Sequence, residues 1–445
     1  MRDEFTWGVA TSAYQIEGGV AEDGRGETIW DRFTHTPGRV IDGATGDVAC
    51  DHYHRWEEDV ALMRELGVDG YRFSIAWARV LPEGTGDVNQ AGVDFYDRLI
   101  DALLDAGITP YPTLYHWDLP QALEDGGGWR SRDTVGAFAE YADAITKRLG
   151  DRVSTWITHN EPWVAAFVGH LEGAHAPGLT DWGAALTAAH HLLVSHGEAA
   201  AVIRQNVPNS RVGIALDCRP SYPATDSAAD AGAHRHFDGF RNRWFFDPVF
   251  GRGYPDDMVA AYRDRGRIGP GTPEFIQPGD MDLIGAPIDF LGINYYTSLP
   301  ISAGADETED TGIMPGVTVP DGFTEMGWPI TPAALTGFLQ RVHREYDPPS
   351  IFITENGASF SDGPGPEGTV DDQRRIDYLA AHVAAVAAAA ESGVPVDGYF
   401  AWSLLDNLEW SLGFTQRFGL VWVDHDTGRR VPKASFDWYR ERIAR

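Results

Sequence analysis

Eight times along the chain, a short run of apolar or β-branched residues gives way to a stretch whose hydrophobic positions recur at helical spacing. The predicted strands are 5–10, 70–77, 109–117, the run from Trp156 up to Glu161, 211–217, 290–297, the run from Ile351 up to Glu355, and 398–405. Helices are predicted over 53–66, 94–106, 134–149, 183–206, 332–346 and 371–392, and 434–443 closes the chain. Gly67 and Gly107 mark the ends of the first two. A helical, loop-rich insertion runs to about Asp289, and residues 298–331 form a Gly/Pro-rich excursion. No Gly-x-Gly-x-x-Gly follows a strand, which argues against an open dinucleotide-binding sheet. Eightfold strand–helix alternation fits an α/β fold of one kind, the closed (β/α)8 TIM barrel with elaborated βα loops. Without a linker or a low-complexity segment, residues 1–445 are expected to form one domain.

A barrel of this kind does its chemistry at the C-terminal strand ends, and two of those ends stand out. Ile351-Phe352-Ile353-Thr354-Glu355-Asn356-Gly357 reads as a buried strand that surfaces on a carboxylate. Trp156-Ile157-Thr158-His159-Asn160-Glu161-Pro162 does the same, with Pro162 ending the ladder. A single acid at a strand end is unremarkable as a cap or a surface charge. Two on one rim can flank one bond, one carboxyl kept protonated and the other ionised. In glycoside hydrolysis a separation of ~5–5.5 Å goes with retention and ~6.5–9.5 Å with inversion. Around them Gln15, His116, Asn160, Asn294, Tyr296, Trp402, Glu409 and Trp410 fall at or just beyond strand ends. Neutral donors suit vicinal hydroxyls, Glu409 can accept two hydroxyl hydrogens, and Trp can stack on a pyranose face. Tyr296 can donate to a carboxylate and hold it ionised.

Composition narrows the partners. A formal charge of −31 and a pI near 4.7 argue against nucleic acid and anionic membrane surfaces. No run approaches the ~18 apolar residues of a membrane span, and the first residues lack the apolar core of a signal peptide. Cys50 and Cys218 make no disulfide framework, so a reducing, cytoplasmic setting is expected.

The motifs FTWGVATSAYQIEG, YRFSIAW, LYHWDLP, THNEPW, LGINYYT, ITENG, and AWSLLDNLEW with GFTQRFGL occur in this order from end to end. Together they resemble the β-glucosidases of glycoside hydrolase family 1. That resemblance implies a retaining exo-β-glycosidase that releases terminal β-D-glucosyl units through a covalent glycosyl-enzyme, without a cofactor. Glu355 would be the nucleophile and Glu161 the acid, then base. Gln15, His116, Asn160, Glu409 and Trp410 would hold the first sugar with Trp402 as its platform, and Trp117 and Phe418 would complete the substrate-binding set. Asn294 and Tyr296 would support the nucleophile, and Arg72 would pair with Glu355. His116, Asn160 and Glu409 can hold either C4 epimer, so glucosyl, galactosyl and fucosyl units all stay open. The positions at which phospho-sugar members carry Ser, Lys and Tyr read Glu409, Gln416 and Phe418, leaving no cation for a phosphate. Substrates are therefore expected to be small β-glycosides or short oligosaccharides.

Other readings meet specific obstacles. A sugar-binding barrel without activity would lack a carboxylate, and both are present. A Schiff-base enzyme needs a lysine at a strand end, but Lys147 falls in a helix and Lys433 near the C-terminus. Transglycosylation to an alcohol or sugar shares every catalytic residue and stays open as an alternative. Cys50/His52/His54, His190/His191 and His234/His236 have no metal-ligand spacing, so no metal is expected. Asp47, Asp51 and Asp59 read as a solvated acidic stretch, and Trp77 and Trp156 as core. Trp328 and the 298–331 excursion are candidates for the wall against the leaving group.

Overall fold

A computed structural model describes residues 5–303 and 322–444. The eight apolar runs form a closed parallel barrel with neighbours in chain order. Its strands are β1 (Thr6–Ala10), β2 (Gly70–Ser74), β3 (Thr109–Tyr115) and β4 (Thr155–Asn160). They continue as β5 (Arg211–Cys218), β6 (Phe290–Tyr295), β7 (Ile351–Asn356) and β8 (Val396–Trp402). β1 pairs with both β2 and β8, which closes the ring.

Every residue of β2, β4, β6 and β7 is buried, as expected of strands covered on both faces. The barrel interior is filled by Tyr111, Ile157, Ala215, Phe290, Phe352 and Phe400, so the barrel is a packed core and not a pore. Close approach of aromatic rings explains a glycine: a Cβ on Gly8 would lie 2.3 Å from the Phe400 ring. A larger shell packs the strands against amphipathic helices such as Gln90–Asp105 and Asp133–Leu149, and includes Trp77 and Trp156 with no exposed surface. The helices Pro332–Tyr346 and Ala434–Ile443 match the sequence reading residue for residue. Among the described residues, no helix is long and apolar enough to cross a membrane.

Four strands end two or three residues before the predicted runs do, and these early ends share a cause. β2 ends at Ser74, after which Trp77–Val80 coils into a helical turn; β3 ends at Tyr115 and β6 at Tyr295. β8 begins at Val396 and ends at Trp402 instead of spanning 398–405. In each case the apolar sequence continues after the ladder has ended, because the rim beyond it is buried too. Asp59 is a clear correction. It is fully buried, accepting from Arg430 at 2.9 Å and bonded to His52 Nδ1 at 2.8 Å, so it belongs to a buried ion pair and not to a solvated stretch. Residues 304–321 of the Gly/Pro-rich excursion lie outside the described residues.

Candidate active site

β7 runs buried to its end and carries Glu355 as its fifth residue; Glu161 is the first residue past β4. Both carboxyls open on one cavity of about 280 Å³ above the C-terminal strand ends. Glu355 is 3% exposed and Glu161 6%, so neither charge is shared with bulk water. A larger cavity of about 530 Å³ on the flank, beside Arg130, Arg132 and Arg267, reaches neither.

The two acids are held differently. Arg72 of β2, itself 1% exposed, forms an ion pair with Glu355 Oε1, and Tyr296 donates to Glu355 Oε2 at 2.6 Å. Glu161 Oε1 accepts at 2.7 Å from the neutral amide of Asn294. Burial raises the proton affinity of both carboxyls. For Glu355 the Arg72 charge and the Tyr296 hydroxyl oppose the rise. For Glu161 burial is reinforced by the charges of Asp217 and Glu355, and its pKa lies well above the ordinary carboxylate range. When the pair carries one proton, it sits on Glu161. Burial and the adjacent Glu355 charge hold the Tyr296 phenol protonated, so it remains a donor.

A hydrogen-bond chain ties these side chains together. Asn160 Oδ1 accepts from Arg72 at 2.5 Å and from Asn294 at 2.9 Å, which orients its amide nitrogen toward His116 Nε2 at 3.1 Å. Thr354 donates to Asn294 Oδ1 at 2.6 Å. Burial, then Arg72, holds the His116 imidazole neutral. Since Nε2 accepts from Asn160, Nδ1 carries the hydrogen, and that buried donor has no partner among the described residues. One oxygen of Glu409 is likewise buried without a partner among the described residues, and burial followed by the Glu355 charge pushes this acid up to about 8. Unpaired polar atoms buried at a cavity are costly unless a ligand meets them.

His116, Trp117, Tyr296, Trp402, Glu409, Trp410 and Phe418 line the cavity with the two acids, and Trp328 lines it as well. Arg72, Asn160, Asn294 and Gln15 lie immediately behind the wall. Gln15 is fully buried, accepting from Ser12 at 2.6 Å and donating to the Leu408 carbonyl at 2.8 Å beside Glu409. Three wall residues hold left-handed backbones that few side chains adopt: Trp117 at φ 77°, Glu161 at 47° and Trp410 at 49°. Each costs about 1–3 kcal/mol, a strain characteristic of functional sites. A Cβ on Gly357 would lie 1.8 Å from the Trp402 carbonyl, so the glycine after Glu355-Asn356 lets β7 and β8 close together.

The cavity also exposes Asp217, Arg241, Trp163 and Glu172, which sequence reasoning did not place there. For Asp217 the signal existed, because the Arg211–Asp217 run also ends on a carboxylate. Arg241 comes from the insertion after β5, where no pattern pointed to a site.

Two buried carboxyls of unequal proton affinity, facing one cavity at the C-terminal mouth of a parallel barrel, define a barrel glycosidase. Comparison with known proteins carries this one step further. The family model for glycosyl hydrolase family 1 matches residues 1–445, and the chain belongs to that family. It is 47% identical to beta-glucosidase A of Acetivibrio thermocellus over 99% of this chain and 97% of that protein. The solved family 1 β-glucosidase from Thermotoga maritima superposes with a TM-score of 0.94 at 45% identity, covering 100% of this chain and 98% of that one. The AHE enzyme from Alicyclobacillus herbarius superposes equally well, at 0.94 and 50% identity over 100% and 97%.

Proposed function

We propose that the chain is a retaining, exo-acting β-glucosidase, working as one catalytic unit over residues 1–445 in the cytoplasm on small β-glycosides or short oligosaccharides. The observation that carries this reading is the contrast between the two acids. Glu355, paired with Arg72 and Tyr296, is the nucleophile kept ionised, and Glu161, beside a neutral amide, is the acid kept protonated. Glu355 attacks the anomeric carbon while Glu161 gives its proton to the glycosidic oxygen, and the aglycone leaves. The Glu161 carboxylate then takes a proton from water, whose oxygen attacks the same carbon from the other face and frees Glu355. Two inversions leave the configuration unchanged.

His116 Nδ1 and the unpaired Glu409 oxygen would meet sugar hydroxyls, with Asn160, Gln15 and Trp410 completing the first subsite. Trp402 would be the platform, and Trp117, Phe418 and Trp328 would bound the sugar and its leaving group. Glu409 stands where a phosphate would need a cation, so phosphorylated sugars are disfavoured. Glucosyl, galactosyl and fucosyl units all fit donors of this kind.

The test is a panel of aryl β-glycosides with the first sugar released followed by NMR. β-Glucose appearing first and mutarotating afterwards is expected. α-Glucose appearing first would overturn the mechanism, and inertness toward the whole panel would overturn the activity.

A further inference from the structure

We propose that the Asp217–Arg241 ion pair is the electrostatic partner of Glu161 and sets how firmly that carboxyl holds the proton it donates, making Asp217 a positioning residue. The inference rests on Glu161 being the general acid. Its basis is a third strand end. Glu161 N–H donates to the Ala215 carbonyl at 2.8 Å, fastening the acid to β5 two residues before Asp217. Ala215 packs in the barrel interior, and by the two-residue period of a strand Asp217 projects the same way, into the barrel mouth. Asp217 lies opposite Asn294 in the β5–β6 register, and Asn294 is the residue that donates to Glu161.

Arg241 completes the wall. It pairs with Asp217, and the two side chains are 3% and 9% exposed. Its guanidinium carbon also sits 3.3 Å from the centre of the Trp163 ring, two residues beyond Glu161. The arginine is thus shared between the carboxylate and an aromatic face, so it tempers the negative charge of Asp217 without cancelling it.

The other charges around Glu161 have different places. Arg72 and Glu355 act from behind and across the cavity, His116 is neutral, Tyr296 is protonated, and Glu409 sits on the sugar side. Glu172 and His175 come from the segment after β4, while Cys218 and Arg219 follow Asp217. After burial, Asp217 contributes more than Glu355 to raising Glu161. A negative neighbour disfavours ionised Glu161, which keeps the acid charged with its proton for the first step. It also makes the carboxylate a stronger base for the second.

The test is the pH dependence of kcat/KM, whose alkaline limb reports loss of the Glu161 proton. Asp217→Asn should move that limb down by about one pH unit. It should also slow alkyl glucosides more than dinitrophenyl glucosides, and Asp217→Glu should bring the limb back. Arg241→Met, which bares the Asp217 charge, should move the limb up, and it decides the matter if Asp217→Asn does not fold. A merely structural role would lower activity without moving the limb. Unmoved limbs in folded variants, with the limb lost in Glu161→Ala, would overturn the role of the pair alone. A limb that persists in Glu161→Ala would overturn the acid assignment beneath it.

Discussion

The ends of β4 and β7 begin from nearly the same sequence, Thr-His-Asn-Glu and Ile-Thr-Glu-Asn, and the fold makes opposites of them. Glu355 stays inside a ladder, paired in register with Asn294 on β6, and is met by a guanidinium and a phenol. Glu161 lies one step past its ladder on a left-handed backbone and is met by an amide, with two anions near it. The residue type is the same and the burial is alike. What differs is the charge of the neighbours, and it is on that difference that the proposed roles, attack for one acid and proton transfer for the other, rest.

The most damaging break in this contrast is removal of the ionised partner. Glu355→Ala should lower kcat by at least about 10⁴-fold on aryl glucosides. Azide added to the variant should restore turnover as an α-glucosyl azide, identified by NMR; retained activity without azide would remove Glu355 from the chemistry. Glu161→Ala comes next. It should cost about 10²–10⁴-fold on glucosides of poor leaving groups and little in the first step on dinitrophenyl glucosides. The sign of the pH dependence follows from the same surroundings. On the proposed roles, protonation of Glu355 should remove the nucleophile and draw the acidic limb of kcat/KM, and deprotonation of Glu161 should remove the acid and draw the alkaline limb. With the Glu161 affinity well above the usual carboxylate range, the profile should stay open on the alkaline side of that range.

Much of this was legible before any coordinates. Strand–helix alternation is a direct print of burial on two faces, so the barrel and both acids could be read from the chain. Arg72 could be matched to Glu355 only through the family resemblance that YRFSIAW helps to carry, and the structure puts the two in contact. Other features depend on three-dimensional neighbours with no local signature. Asp59 looks like any surface acid until Arg430, far along the chain, is folded against it. The left-handed backbones at Trp117, Glu161 and Trp410 leave no mark either, since none of the three is a glycine. Gln15 reads as a rim residue, and no local pattern shows that Ser12 and the Leu408 carbonyl fix its amide.

A smaller perturbation tests the nucleophile side alone. Tyr296→Phe removes one hydrogen bond to a buried carboxylate, an interaction of about 1.5–3 kcal/mol, so kcat/KM should fall about 10- to 100-fold. Without that donor Glu355 holds its proton more firmly, and the acidic limb should move to higher pH while the alkaline limb stays in place. Movement of both limbs would mean that the two acids are not separately held.

The smallest expected effect probes the side chain that stands between them. Thr354, on β7 next to Glu355, donates to Asn294 Oδ1 at 2.6 Å, and Asn294 in turn serves Glu161. Thr354→Val keeps the shape and deletes the hydroxyl. Losing one neutral hydrogen bond of about 1 kcal/mol should reduce kcat/KM about fivefold. Because the loosened amide donates directly to Glu161 at 2.7 Å and counts for Glu355 only after Arg72 and Tyr296, the loss should be larger for alkyl glucosides than for dinitrophenyl glucosides, although the mutated residue sits on the nucleophile's strand. Equal losses for the two substrates would show that Asn294 supports both acids alike, and the separation between the two strand ends would narrow to Arg72 and Tyr296.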